Sequence, residues 1–126
     1  MDKRILEWLK QADYDMSTAE FMANGGRFFY AVFMCHLAME KALKGLYQQN
    51  LEEVPPKTHN LIYLLNKIGL KPDQDKAGFI AKLNEASVAT RYPDDIAKLQ
   101  SHYTHEIATQ ILVETKETLE WINKQF

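Results

Sequence analysis

His36 and Glu40 fall on a stripe otherwise made of Phe29, Val32, Phe33, Leu43 and Tyr47. On a helix turning ~100° per residue the two lie about 40° apart, so two titratable groups point at the core. Burying either without a partner costs roughly 1–3 kcal/mol, so each needs a bond, a cavity or a subunit boundary. A satisfied internal network meets that need. So does a site, because i,i+4 spacing suits an acid–base pair or two metal ligands, although no Asp or Cys accompanies them on that face. Lys41 and Lys44 flank the stripe, where the plain expectation is a solvated charge.

The segment Arg91-Tyr92-Pro93-Asp94-Asp95 places a guanidinium and an aromatic ring where proline stiffens the backbone. Arginine can fork onto a phosphate or carboxylate, and tyrosine can stack on a base. Equally, Arg91 can pair inside the protein, with Glu40 as the obvious candidate, while Tyr92 packs. His59 follows Thr58, a helix cap, and reads as an exposed first-turn residue. His102 and His105 are three apart, and as a metal pair they lack a third ligand. No metal site or cofactor is therefore expected. Met16, Met22, Met34 and Met39 read as gap-fillers or as part of a subunit contact. There is no phosphate-binding glycine loop, no dinucleotide glycine fingerprint, no zinc-protease histidine pair and no serine elbow.

These residues must be carried by helices. Ile5, Trp8, Leu9, Ala12, Met16, Ala19 and Ala23 trace one helical face over 2–24, which Gly25-Gly26 breaks. The span 27–50 contains no proline and is too long for a strand; its apolar residues point nearly all round, which predicts a central helix covered on several sides. Beyond Val54-Pro55-Pro56-Lys57, a third helix capped by Thr58 carries Leu61, Ile62, Leu64, Leu65 and Ile68 and ends at Gly69. A fourth begins near Pro72, turns Ile80, Leu83, Ala86 and Ala89 inward, and stops at Tyr92-Pro93. The last starts near Thr104. With no hairpin signal, the fold class is all-α, an antiparallel up-and-down bundle of four to five helices in a single domain, 1–126.

The chain has 126 residues, enough for one core that buries about two-thirds of the unfolded surface. A net charge of −2, from 15 Lys+Arg against 17 Asp+Glu, removes the electrostatic case for coating nucleic acid or anchoring to a membrane. Any phosphate-bearing ligand must be held locally. Cys35 alone makes neither an intramolecular disulfide nor a multi-thiolate zinc site. Glu7 and Lys10 interrupt the first apolar run before a signal peptide could form, and the stretch from Phe28 to Met39 is shorter than the ~20 residues of a membrane span. A cytoplasmic location is expected.

In order along the chain come Ala12-Asp13-Tyr14-Asp15, the turn at Asn24-Gly25-Gly26, the run from Cys35-His36 through Glu40-Lys41 to Lys44-Gly45-Leu46, Pro55-Pro56-Lys57-Thr58-His59-Asn60-Leu61, Leu64-Leu65, and Thr90-Arg91-Tyr92-Pro93-Asp94. Together they resemble the HEPN family (higher eukaryotes and prokaryotes nucleotide binding) over nearly the whole chain. The resemblance implies a helical bundle that forms homodimers, binds a nucleotide or RNA, and partners a minimal nucleotidyltransferase in toxin–antitoxin pairs. It makes Arg91, Tyr92, Asp94, His36, Glu40, Lys41 and Lys44 the candidate contact residues. Many members of the wider superfamily are metal-independent ribonucleases with an Arg-x(4–6)-His motif. Here positions 96 to 98 hold Ile96, Ala97 and Lys98, so that motif is absent and catalytic residues are unassigned. Two alternatives remain: a ribonuclease using a displaced set such as His36 or His102 with Arg91, or a purely structural or interaction protein.

Overall fold

A computed structural model describes residues 1–126 as six α-helices with no strand: α1 Lys3–Asn24, α2 Phe28–Leu51, α3 Leu61–Ile68, α4 Gln74–Arg91, α5 Ile96–His102 and α6 His105–Asn123. The expected up-and-down bundle is present with one more helix than the four to five expected. The addition is α5, which buries no residue and so offers no apolar stripe to read. It forms because Asp95 caps it, the carboxylate accepting from the N–H groups of Ala97 and Lys98. Four of the other five starts follow the same chemistry, Asp2, Asn60, Asp73 and Thr104 capping α1, α3, α4 and α6, while α2 starts at Arg27 with no side-chain cap. Asn60, and not Thr58, starts α3, so His59 lies in the connection before the helix.

Helix α2 is the axis, packed against every other helix. Val32, Met39, Leu43 and Leu46 are buried beside Leu61 and Leu64 of α3, Ile80 and Leu83 of α4, and Ile122 of α6. Cys35 and Met39, off the main stripe, are also fully buried, as expected for a helix covered on several sides. Ala89, by contrast, is exposed. The α1–α2 packing is tight at Gly45: a Cβ there would stand 3.1 Å from Trp8 Cβ, so a larger residue would press Trp8 back by a few tenths of an ångström. That contact is locked by Trp8 Nε1 donating to Gln48 Oε1 at 2.9 Å. Gly69 ends α3 in the left-handed region at φ 83°, its N–H and that of Leu70 returning to Leu65 O. No helix is long and apolar enough to cross a membrane.

Candidate functional site

Phe33, His36, Glu40 and Lys44 are spaced by three, four and four residues, so they form one line along α2. α4 and the connection into α3 pack on that line. Glu40 is 3% exposed, and both of its oxygens are occupied: Oε2 accepts from Lys44 Nζ at 3.0 Å and Oε1 from His59 Nδ1 at 2.8 Å. Two expectations are corrected here. Glu40 does not pair with Arg91, because Lys44 on its own helix and His59 from the α2–α3 connection fill the carboxylate first. Nor is Lys44 a solvated charge; it is 6% exposed, since the buried carboxylate one turn away offers its ammonium a partner that the long apolar stem can reach. Lys41, a third of a turn round the helix, pairs with Asp15 of α1 at 3.2 Å and points away from this line.

One turn before Glu40, His36 is fully buried. Its Nε2 lies 3.4 Å from Asn84 Oδ1, which also accepts from Leu61 N at 2.9 Å, while Asn84 Nδ2 donates to Asn60 Oδ1. Because a carbonyl oxygen only accepts, Nε2 carries the hydrogen, and neutral His36 presents a bare lone pair at Nδ1. That Nδ1 has no partner. Burial, above all, pushes the imidazole below its ordinary pKa of 6.5; the Asn84 bond and Glu40 oppose the shift, and the charge of Arg91 adds to it.

Arg91 ends α4 with its guanidinium carbon 4.8 Å from the centroid of Phe33, a cation–π contact one turn before His36. No carboxylate lies within 4.0 Å of it, and its Nη2 is buried without a hydrogen bond. Tyr92 follows at 72% exposure, its ring free, and Asp94 is exposed beside it. The expectation that His36 and Glu40 are shielded therefore holds, with Glu40 satisfied and His36 half-satisfied. Arg91, Phe33 and His36 come together, Glu40 and Lys44 continue the line, Tyr92 and Asp94 rim it, and Lys41 is diverted.

Sequence reasoning missed Asn84 and Phe33 as site residues. The signal for Asn84 is its spacing: Asn84 and Arg91 are seven residues apart, hence on one face of α4, with Ser87 buried between them. His102 and His105 do not converge; one ring packs edge-on to Tyr103 and the other to Phe28. No three His, Cys, Asp or Glu side chains are grouped to hold a metal ion. Burial pushes the Cys35 thiol up to about 12, which makes it inert.

Two grooves lie nearby. One, of about 310 Å³, runs between α4, α5 and α6 past Lys82, Glu85 and His102, on the face of α4 opposite Arg91. The other, of about 250 Å³, opens between the start of α2 and α5.

Comparison with known proteins agrees with this architecture. The HEPN domain model matches residues 5–125, and the chain belongs to the HEPN family. Among solved structures it is similar to TT1696 from Thermus thermophilus, with 24% identity and a TM-score of 0.81 over 99% of this chain and 100% of that one. It is likewise similar to ST0689, an archaeal HEPN homologue, with 25% identity and a TM-score of 0.77 over 98% of each chain. No match was found among curated proteins.

Proposed function

We propose that this HEPN-domain protein is a nucleotide- or RNA-binding module that works as a homodimer with a minimal nucleotidyltransferase as its partner. The observation that carries the reading is Arg91: a guanidinium held in place on Phe33, with one nitrogen buried and unbonded and no carboxylate to neutralise it. An arginine left in this state inside an otherwise balanced protein is suited to an anion with several acceptor oxygens, and phosphate fits its fork. Tyr92, exposed next to it, supplies a stacking surface. The exposed rings of Tyr14 and Phe21, seven residues apart on α1, support a contact with a second copy or a partner protein.

The ribonuclease reading has less support. His36, whose bare Nδ1 would be the natural base beside Arg91, is wholly buried, and His102 lines the groove on the far face of α4. A binding screen against nucleotides and short RNAs, with incubation for cleavage, tests the proposal. Wild type should bind one of them without cutting it, affinity should fall as salt rises, and Arg91→Ala should bind at least tenfold more weakly. Cleavage by the wild type would move the assignment to the ribonuclease class. Binding unchanged by Arg91→Ala would remove Arg91 from the site.

A further inference from the structure

Only two buried side-chain polar atoms in the chain lack a hydrogen bond, His36 Nδ1 and Arg91 Nη2, and both belong to the site around Phe33. They are opposite in kind. One is a bare lone pair on a neutral ring, the other an N–H donor on a fixed cation. Leaving either unpaired in the interior is costly, and two such atoms in one place point to something from outside the fold that completes them.

The surroundings of His36 decide what a second proton would meet. Nε2 already donates to Asn84 Oδ1, so that proton goes to Nδ1. Asn84, Glu40 and the backbone of His59 favour the charged ring, whereas burial and the charge of Arg91 oppose it. The remaining charges on the packed elements are engaged elsewhere. Lys44 and the His59 ring are bonded to Glu40, Asp15 of α1 holds Lys41, and Lys67, the one charged residue of α3, lies over the Tyr63 ring. On α4, Lys82 and Glu85 line the groove on the face opposite Arg91. Of the two opposing influences, burial is fixed by the fold. The charge of Arg91 is not, because this guanidinium is half-buried, rests on Phe33 and forms no ion pair. An oxyanion settling on its open side cancels the charge that keeps the ring neutral.

We infer that His36 is the proton-binding half of the Arg91 site, which takes up an oxyanion on Arg91 together with one proton on His36 Nδ1. The inference rests on the reading of Arg91 as a phosphate contact and adds a regulation to it. With the anion bound, the ring keeps its proton to a higher pH than in the free protein. Between those two points binding draws in a proton, so affinity rises as pH falls. The coupling is reciprocal: the proton tightens the anion by the same factor as the anion tightens the proton. Glu40 does not pre-empt this role, since both of its oxygens are already occupied. His36 is thus a positioning residue that acts on the ligand through Arg91.

The probe is sulfate, a tetrahedral oxyanion with no titrating proton of its own in the range used, added at constant ionic strength to wild type, His36→Gln and Arg91→Ala. Sulfate affinity and the titration of each histidine ring by NMR are followed together. In wild type, affinity should rise at least about 5-fold from about pH 7.5 to about pH 5. Sulfate should also move the His36 titration to higher pH, while His102 and His105, packed on Tyr103 and Phe28, stay where they were. His36→Gln, whose amide retains a donor for Asn84, should bind sulfate without the pH slope. In Arg91→Ala the His36 ring should titrate higher from the outset and ignore sulfate. The wild-type NMR titration decides even where His36→Gln does not fold. If sulfate binds through Arg91 with equal affinity at every pH and leaves His36 unmoved, the coupling is overturned and the phosphate contact stands. A slope that survives in His36→Gln overturns the assignment of the proton to His36. If wild type binds no sulfate at any pH, the phosphate reading and the coupling are both overturned.

Discussion

Glu40 illustrates what a helical stripe fixes and what it leaves open. Its position among Phe33, Leu43 and Tyr47 dictates that it faces inward, and it does; the stripe does not dictate which cation arrives. Arg91 is the natural candidate from sequence, but Lys44 is one turn away on the same helix and His59 enters from a loop whose path no periodicity encodes. Removing the carboxylate leaves a nearly buried ammonium behind, so Glu40→Ala should lower stability by about 3–5 kcal/mol, read from the denaturation midpoint. An unchanged midpoint would contradict the network. His36 gives a pH dependence whose sign is fixed. Its pKa is below 6.5 in the folded protein, so as pH falls through 6.5 the unfolded chain takes up a proton that the folded one refuses. Stability should therefore drop below pH 6.5, and the drop attributable to this residue should vanish in His36→Gln when the two melting profiles are compared.

At the scale of the elements, one amide holds three of them together. Asn84 on α4 bonds His36 on α2 and the first N–H of α3, and reaches the Asn60 cap. Asn84→Ala should cost about 1–3 kcal/mol, because the Leu61 N–H and the His36 ring both lose their acceptor. An unaltered thermal transition would show that α3 docks through Leu61, Leu64 and Leu65 alone. The helices themselves are legible wherever apolar residues recur at three and four: α1, α2, α4 and α6 begin and end within about two residues of their breakers and caps. Helix α5 is not, since Ile96 and Leu99 are too few to make a stripe and Asp95, the cap that creates it, reads in the sequence as part of the turn. The line Phe33, His36, Glu40, Lys44 is half legible. Its last member carries the same spacing, but a lysine reads as solvated until a buried carboxylate is placed beside it.

Across the whole molecule, α2 takes up the core and leaves the outer face of α1 with Tyr14 and Phe21 more than 70% exposed. Rings so placed are suited to a second copy, so light scattering at micromolar concentration should give twice the chain mass, and Tyr14→Ser with Phe21→Ser should return it to one. A wild-type monomer mass at high micromolar concentration would reject the dimer. The net charge of −2 means that phosphate affinity, where it exists, comes from particular guanidinium groups and not from a general field. Arg91 is therefore the central residue, and the most direct measurement is the melting midpoint of wild type and Arg91→Ala with and without a saturating short single-stranded RNA. Binding to the folded state alone raises the midpoint, so the RNA should raise that of wild type by several degrees and leave that of a folded Arg91→Ala variant where it was. An equal rise in both proteins would contradict the assignment of Arg91 as the phosphate contact.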